Sequence, residues 1–401
     1  MKILVVVGTR PEAIKLAPVI RELSRRLEGG VRVCATGQHN ELLDSALACF
    51  GVVADDHLGV MTADQTPTHV AAAVLSRLDP ILKREQPDWI VAQGDTTSVA
   101  AAAFTAFYAG VRIAHVEAGL RTGDKQHPFP EEVNRRIASL VSDLHLAPTA
   151  RARANLLAEG IPPERVLVTG NPGIDALAWA LEQTPARLLP RPPTGMRRLV
   201  VTAHRRENHG QPLEQIRAAL ARLAEEHPGR LEIACPVHPS PAVAAAFAPL
   251  SRLPGVALLP ALDYVAMVHL LRTADLVLTD SGGIQEECPA LGIPVLVLRR
   301  TTERPESVER GVARLVGVET ARIVEEVNHA LARTGRGRTD ILASPYGDGH
   351  AGPRIAAALL GEPFEPFDPG SRAAWSRPRR LVRLGAGRRR RSRQHQRGPL
   401  R

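Results

Sequence analysis

Aromatic residues, cysteines and long apolar runs are all scarce in this chain, and each shortage excludes a class of protein. Phe, Trp and Tyr make up 3% of the 401 residues, so the cores must consist of Val, Leu, Ile and Ala. The four cysteines form no CxxC pair, which argues against a disulfide scaffold and predicts reduced thiols. No uninterrupted apolar stretch reaches the roughly 18 residues of a membrane span. The apolar start, Ile3 to Val7, is too short for a signal peptide. We therefore expect a cytoplasmic protein without a membrane partner.

A net positive charge is also absent from most of the chain. The formal net charge is +9, but residues 371–401 alone contain twelve arginines and neither a lysine nor an acid. The remainder is therefore mildly acidic, which makes nucleic acid an unfavourable partner for the folded part. We predict that residues 363–401 form a disordered, arginine-rich tail. Nucleic-acid binding through this tail stays an alternative, which predicts steeply salt-dependent binding.

Neither a dinucleotide fingerprint nor a metal-ligand spacing is found. The first strand-to-helix turn, Gly8-Thr9-Arg10-Pro11, has one glycine followed by a proline and is not a GxGxxG motif. None of the histidines that follow strands has metal-ligand spacing with another. We therefore expect neither a cofactor nor a metal.

Strand and helix patterns alternate along two successive parts of the chain. The first part predicts strands at 2–7, 31–35, 89–92, 112–116 and 144–147, separated by helices. A proline- and arginine-rich stretch follows, after which strands are predicted at 198–202, 231–235, 256–259, 276–279 and 295–298. This alternation predicts an α/β protein with two Rossmann-like domains, whose parallel sheets face each other across a cleft. The predicted division is residues 1–182 for the first domain, 183–197 for a linker, 198–348 for the second domain and 349–362 for a final helix.

One strand-to-helix turn, Asp280-Ser281-Gly282-Gly283, predicts an anion site. The glycines let a ligand approach the backbone, and the exposed N–H groups at a helix start bind phosphate. Glu287 lies about one turn into the same helix, where its carboxylate can accept the hydroxyls of a ribose. An ordinary tight turn is the alternative interpretation.

Other charged side chains follow strands at the same predicted edge of each sheet. Arg10 and Lys15 lie at the first helix start, and Arg304 lies in a polar loop after a strand. Structural interpretations remain open for these residues, as a helix cap with surface charge or a solvated rim arginine. His204 follows a strand beside two arginines, and His238 resembles it more weakly.

Three acids are candidates for proton transfer. Asp95 and Glu117 end adjacent predicted strands, so both should point into the cleft, and Glu131 begins a helix. Carboxyl groups in a partly dry cleft can differ enough in pKa to act as acid and base. Helix capping is the structural alternative for Glu131 and for Asp95.

These strings together resemble the non-hydrolysing UDP-N-acetylglucosamine 2-epimerases of bacteria over roughly residues 1–361. The motifs that carry the resemblance are GTRPEAIK, GQHNELLD, QGDTTSV, HVEAGLRTGD, PFPEEVNRR, TGNPGIDAL, TAHRREN, PVHPSP, DSGGIQEE, TTERPE and PYGDG. The resemblance implies two Rossmann-like domains in the arrangement of the GT-B glycosyltransferases, with a last helix that crosses back onto the first domain. It also implies reversible conversion of UDP-GlcNAc into UDP-ManNAc through elimination and re-addition of UDP, for use in cell-surface polysaccharide.

The resemblance assigns roles to residues that match its motifs. Asp95, Glu117, Glu131 and His204 are then catalytic, although the sequence does not decide which acid removes the C2 proton. Residues implied to hold the UDP-sugar are Arg10, Lys15, Arg135, His204, Ser281, Gly282, Gly283, Glu287 and Arg304. Some bacterial members contact a second, activating UDP-GlcNAc at positions matching Gln38, His39, Glu131, Arg205 and His238. Family members are commonly homodimers, so we expect one here.

Three rival functions stay open. A hydrolysing 2-epimerase would release free ManNAc and UDP, so the reaction product distinguishes it from the non-hydrolysing 2-epimerase. A GT-B glycosyltransferase would need an acceptor. A non-catalytic sensor of nucleotide sugars would not need all three acids.

Overall fold

The computed structural model describes residues 1–37, 41–60, 62, 65–185, 190–333 and 344–370. Two parallel β-sheets with helices packed on both faces form this part of the chain. The predicted fold class is therefore confirmed. Within the described residues, no helix is long and apolar enough to cross a membrane.

The first sheet has seven strands in the order β3-β2-β1-β4-β5-β6-β7. Its strands are β1 Ile3–Val7, β2 Val31–Ala35, β3 Asp56–His57, β4 Trp89–Gln93, β5 Arg112–Val116, β6 Leu144–Ala147 and β7 Val166–Val168. Every residue of β1 is buried, with Ile3, Val5 and Val7 in the core on one face and Leu4 and Val6 in the core on the other. This pattern is the one expected for a central parallel strand covered on both sides.

The helices of this first part cover both faces of its sheet. They are α1 Arg10–Arg26, α2 Glu41–Cys49, α3 Pro67–Glu85, α4 Thr97–Tyr108, α5 Glu131–Val141, α6 Ala150–Ala158 and α7 Pro172–Glu182. Several starts follow local rules: Thr9 and Thr66 cap α1 and α3 with their side chains, and a proline stands in the first turn of each. We call this sheet and its helices lobe one.

The second sheet has six strands in the order β10-β9-β8-β11-β12-β13. Its strands are β8 Arg197–Thr202, β9 Leu231–Pro236, β10 Val256–Leu259, β11 Leu276–Thr279, β12 Val295–Val297 and β13 Ala313–Leu315. The helices are α8 Gln211–Glu226, α9 Pro241–Phe247, α10 Tyr264–Arg272, α11 Gly282–Ala290, α12 Pro305–Glu309 and α13 Thr320–Arg333. We call this sheet and these helices lobe two.

The last helix, α14 Ala351–Leu360, packs against α1 and α7 of lobe one. The buried Asp175 carboxylate of α7 fixes its start, accepting hydrogen bonds from the N–H groups of Ala351 at 3.1 Å and Gly352 at 2.8 Å. The domain boundaries drawn from the sequence stay a prediction, and residues 371–401 of the predicted tail lie outside the described residues.

The helix and strand limits differ from the sequence-based ones mainly by one or two residues. The strand predicted at 198–202 begins at Arg197, and the final helix predicted at 349–362 is Ala351–Leu360. Elements without a sequence-based counterpart are β3, β7, β13, α7, α9, α10 and α12.

Candidate active site

The carboxyl ends of strands from both sheets surround one cleft of about 560 Å³ between the lobes. Lobe one contributes the turns that follow β1, β4 and β5, and lobe two contributes those that follow β8, β9 and β11. Ligands of open parallel sheets bind at this end of the strands, because the strand-to-helix turns there are free to vary.

The start of α11 is open towards this cleft. Ser281 is its N-cap residue but makes no side-chain capping hydrogen bond, so its hydroxyl and the first N–H groups can serve a ligand. A Cβ atom on Gly283 would have no heavy atom within 4 Å, whereas one on Gly282 would lie 2.7 Å from Nη1 of Arg304. A side chain at position 282 would therefore displace the Arg304 guanidinium, which lies directly against the first turn.

Glu287 and Arg10 occupy the neighbouring wall of the cleft. The Tyr264 hydroxyl donates a 3.0 Å hydrogen bond to Oε1 of Glu287. Burial raises the pKa of Glu287 to about 7, and the Tyr264 hydrogen bond only partly offsets it. Arg10 donates to the carbonyl of Leu262 at 2.7 Å, a contact that joins α1 of lobe one to lobe two.

Asp280 shapes the loop that carries His204. Its fully buried Oδ2 accepts hydrogen bonds of 2.9 Å from the N–H groups of His204 and Arg205 and from the amide of Asn208. The His204 ring lies with Nδ1 3.3 Å from Oδ1 of Asp280 and stacks on His238 at 5.3 Å between centroids. Burial and the adjacent His204 lower the pKa of His238. Asp280 therefore fixes the loop, while His204 faces the cleft.

Glu117 receives four donors in the buried centre of the cleft. Lys15 Nζ lies 2.5 Å from its Oε1, Asn171 donates to the same oxygen at 2.8 Å, and Arg304 does so at 3.2 Å. Gln93 donates to the other oxygen, Oε2. Burial by itself raises the pKa of Glu117, but Lys15 and Arg304 outweigh it and lower the pKa to about 2.

The backbone of Glu117 is strained as well. Its φ of +63° lies in the left-handed region, which non-glycine residues seldom adopt and which costs on the order of 1 kcal/mol. Such conformations persist where surrounding contacts determine them, and here the four donors do so. Glu117 is thus held in one place as a carboxylate.

Arg304 is surrounded by three carboxylates. Nε donates to Oε1 of Glu286 at 2.5 Å, Nη1 donates to Glu303, and Nη2 donates to Glu117. Glu286 belongs to α11, so Arg304 pairs with the helix that also carries Glu287. Burial raises the pKa of Glu286, and Arg304 and Lys15 oppose that rise.

Asp95 and Glu131 lie at the mouth of the same cleft. Arg135 of α5 is buried and joins Asp95 to Glu132, the latter at 2.9 Å. The N-cap residue of α5 is Pro130, and among the described residues the buried Oε2 of Glu131 has no hydrogen-bond partner. Burial raises the pKa of Glu131, and nearby Arg205 and Arg135 offset only part of that rise. Among the three acids, Glu131 therefore has the environment expected of a proton-transfer group.

The cleft brings together almost all of the predicted site residues. Around its inner part lie Arg10, Lys15, Asp95, Glu117, His204, Arg205, His238, Ser281, Gly282, Gly283, Glu287 and Arg304. Glu131 and Arg135 adjoin it through Asp95. Gln38 and His39, predicted to contact a second nucleotide sugar, lie outside the described residues. Sequence reasoning gave no individual role to Gln93, Asn171, Asp280, Glu286 and Glu303, although the motif strings contain all five.

Two parallel-sheet lobes around a cleft, with an open helix start facing a set of acids, define an enzyme of the two-domain nucleotide-sugar class. The family model described as UDP-N-acetylglucosamine 2-epimerase matches residues 21–360. The chain therefore belongs to the UDP-N-acetylglucosamine 2-epimerase family.

Curated and solved relatives agree with this assignment. The UDP-N-acetylglucosamine 2-epimerase of Salmonella typhimurium is 44% identical over 373 residues, which cover 90% of this chain and 98% of that protein. The crystal structure of the Neisseria meningitidis UDP-GlcNAc 2-epimerase bound to UDP-GlcNAc has a TM-score of 0.83 at 39% identity, covering 90% of this chain and all of the other. The Methanocaldococcus jannaschii enzyme in complex with UDP-GlcNAc and UDP has a TM-score of 0.80 at 30% identity, with the same coverage.

Proposed function

We propose that this chain interconverts UDP-GlcNAc and UDP-ManNAc by a non-hydrolysing route and supplies ManNAc units for cell-surface polysaccharide. One observation carries the proposal: the open helix start of α11 and the acids of lobe one face the same cleft. A diphosphate bound at Ser281 and Gly283 would leave its sugar beside Glu117 and Asp95. Relatives that were solved with UDP-GlcNAc or UDP support the choice of ligand.

The chemistry that we propose is elimination followed by re-addition. A base removes the C2 proton while the bond between C1 and the UDP oxygen breaks, which leaves 2-acetamidoglucal and UDP in the cleft. Protonation of C2 from the opposite face and return of the same UDP to C1 give the epimer. A carbon-bound proton of low acidity needs a positioned base, and the departing diphosphate needs cationic and N–H stabilisation.

The three acids have different environments, and we propose different tasks for them. Glu131 has a raised pKa and an unpartnered oxygen, which favour proton exchange with C2. Asp95 is the second proton-transfer candidate, oriented by its ion pair with Arg135. Glu117 is held as a carboxylate by four donors and serves best as a fixed negative charge beside the developing positive charge at C1.

We also propose that the leaving UDP is held from both lobes. Lys15 and Arg304 place positive charge behind the first turn of α11, and His204 faces the same space. Glu287 and Arg10 adjoin the turn where the ribose would lie. A second UDP-GlcNAc would contact Arg205 and His238. The stacking of His238 on His204 links this second site to the first.

A homodimer is the assembly that we propose. Helices α4 and α5 pack against each other and expose large apolar side chains, with Phe107 59%, Tyr108 75% and Leu140 79% accessible. Exposed apolar side chains grouped on neighbouring elements are typical of interaction surfaces.

Proton NMR of the reaction with UDP-GlcNAc tests the function and separates its nearest rival. We expect the anomeric signal of UDP-ManNAc to appear, together with incorporation of solvent deuterium at C2. Accumulation of free ManNAc and UDP would instead identify the hydrolysing reaction.

Asp95→Asn and Glu117→Gln should each abolish interconversion while UDP still binds, because they keep the shape of the site and remove a charge. Undiminished turnover in both variants would contradict the roles given to these acids.

A further inference from the structure

Two buried residues outside the proposed catalytic set, Asn171 and Glu286, join the lobes at Glu117. Asn171 belongs to lobe one as the N-cap residue of α7, and Glu286 belongs to α11 of lobe two. Their side chains are almost fully buried, with residue exposures of 0% and 1%. The proposed function gives neither of them a contact with the sugar or the uridine, although Glu286 lines the cleft.

The amide of Asn171 has a fixed orientation. Its Oδ1 accepts a 3.0 Å hydrogen bond from the N–H of Gly173, which caps α7, so its Nδ2 must point the other way. Nδ2 donates both to Oε1 of Glu117 at 2.8 Å and to Oε2 of Glu286 at 2.9 Å. Its own N–H donates to the carbonyl of Tyr346 at 2.7 Å, which anchors the backbone as well. Asn171 therefore holds one carboxylate from each lobe.

Glu286 needs both of its oxygens as acceptors. Oε2 faces Asn171 and also lies 3.6 Å from Lys15 Nζ, whereas Oε1 accepts from Nε of Arg304 at 2.5 Å. Among natural side chains of this length, only a carboxylate accepts at both ends. A glutamine would turn its NH₂ group towards either the Asn171 amide or the Arg304 guanidinium, and one donor would then face another.

We propose that Asn171 and Glu286 are positioning residues that complete the setting of Glu117 when the two lobes are together. The inference rests on the proposed function, since it concerns how that site is assembled. Gly282 and Glu286 are four residues apart on α11 and face the same guanidinium, so the helix that would bind the diphosphate also carries one half of this clamp.

Steady-state kinetics with a matched control tests the proposal. Glu286→Gln should lower kcat by roughly ten- to a hundredfold, because a charge-assisted hydrogen bond of the clamp is lost, while the Kd for UDP changes less than about threefold. Glu286→Asp keeps the charge and both acceptors and should recover part of kcat. The control is Glu309→Gln, which removes another ion pair between the lobes, to Arg151 at 2.5 Å on the exposed surface, and should leave kcat unchanged. An unchanged kcat in Glu286→Gln, or equal losses of kcat and UDP affinity, would overturn the inference.

A second measurement needs no turnover. In a double-mutant cycle of Asn171→Ala and Glu286→Gln, the effect of losing the α7 cap cancels, and only the coupling between the two residues remains. We expect the folding equilibrium constant of the double variant to differ from the product of the single effects by roughly fivefold or more. Strict additivity would refute the clamp. A wild-type protein that forms no UDP-ManNAc would refute the proposed function alone, and this cycle would still decide the inference.

Discussion

The Asp280 carboxylate, buried at the end of β11, accepts three hydrogen bonds from the loop between His204 and Asn208. We predict that Asp280→Asn lowers the free energy of unfolding by about 1–3 kcal/mol, because a neutral amide oxygen accepts these three bonds more weakly than a charged carboxylate oxygen. UDP affinity should fall as well, since the loop carries His204. Urea unfolding and isothermal titration calorimetry measure the two effects.

Asp275 provides the matched control at the other end of the same strand. Its carboxylate also accepts from a backbone N–H, that of Arg198 at 2.9 Å, and pairs with the Arg197 side chain. Asp275→Asn should therefore destabilise the fold without weakening UDP binding. Equal losses of UDP affinity in the two variants would show that Asp280 acts only through global stability.

The individual site residues were predictable wherever a charged or glycine residue follows a strand, because such positions meet at one edge of a parallel sheet. The hydrogen-bond and ion-pair partners of those residues were not predictable from the sequence. Lys15 and Glu117 are 102 residues apart, and Asn171 and Glu286 are 115 apart. Pairings between residues so far apart leave no local spacing in the sequence, so the carboxylate partners of Arg304 were missed.

Strands with long apolar patterns were predicted within one or two residues, whereas short elements were missed. β7 and β13 have three residues each, too few for a period to show. The start of α7 contains Pro172-Gly173, which is typical of a turn, but Asn171 caps it and Pro172 occupies the first helical turn. The helix forms because Asn171, at its start, donates hydrogen bonds to Glu117, Glu286 and Tyr346. These contacts arise only in the folded chain.

Helix α14 depends on one carboxylate for its attachment. Asp175 accepts hydrogen bonds from the two free N–H groups at the start of α14. The space at Gly352 is also tight, because an added Cβ would lie 3.2 Å from the carbonyl oxygen of Pro18. Asp175→Ala should destabilise the protein by about 1–2 kcal/mol and speed hydrogen exchange in α14 more than in β1. The exposed pair Asp79–Lys83 gives a control, since Asp79→Ala should change stability by less than about 0.5 kcal/mol. Uniform exchange in α14 and β1 would show that the helix does not open separately.

The pH dependence of the free energy of unfolding combines titratable groups whose contributions have opposite signs. Burial lowers the pKa of His115 to about 4 and of His145 to about 3. Below pH 6.5 these two histidines therefore bind protons in the unfolded chain but not in the folded chain. Burial raises the pKa of Asp175 to about 7, so the folded chain holds a proton there that the unfolded chain has lost. Acidification from pH 7 to 5 therefore weakens folding through the histidines and strengthens it through the acid.

Two variants separate these contributions. Between pH 6.5 and 5, His145→Leu should make the free energy of unfolding rise, relative to wild type, by up to about 1.4 kcal/mol per pH unit as pH falls. Asp175→Asn should shift the slope in the opposite sense over the same interval. Urea unfolding at four pH values measures both slopes, and slopes of the same sign relative to wild type would contradict the assignment.

The assembly of the whole molecule can be tested at the exposed face of α4 and α5. We predict that wild-type protein is dimeric and that the double variant Phe107→Ser and Tyr108→Ser is monomeric, because it removes two large apolar side chains whose rings contact each other. Val53 is 82% exposed outside α4 and α5, so Val53→Ser should leave the dimer intact. Light scattering after size-exclusion chromatography measures the mass in each case. A monomeric wild type would exclude the homodimer, and a dimeric double variant would place its interface elsewhere on the surface.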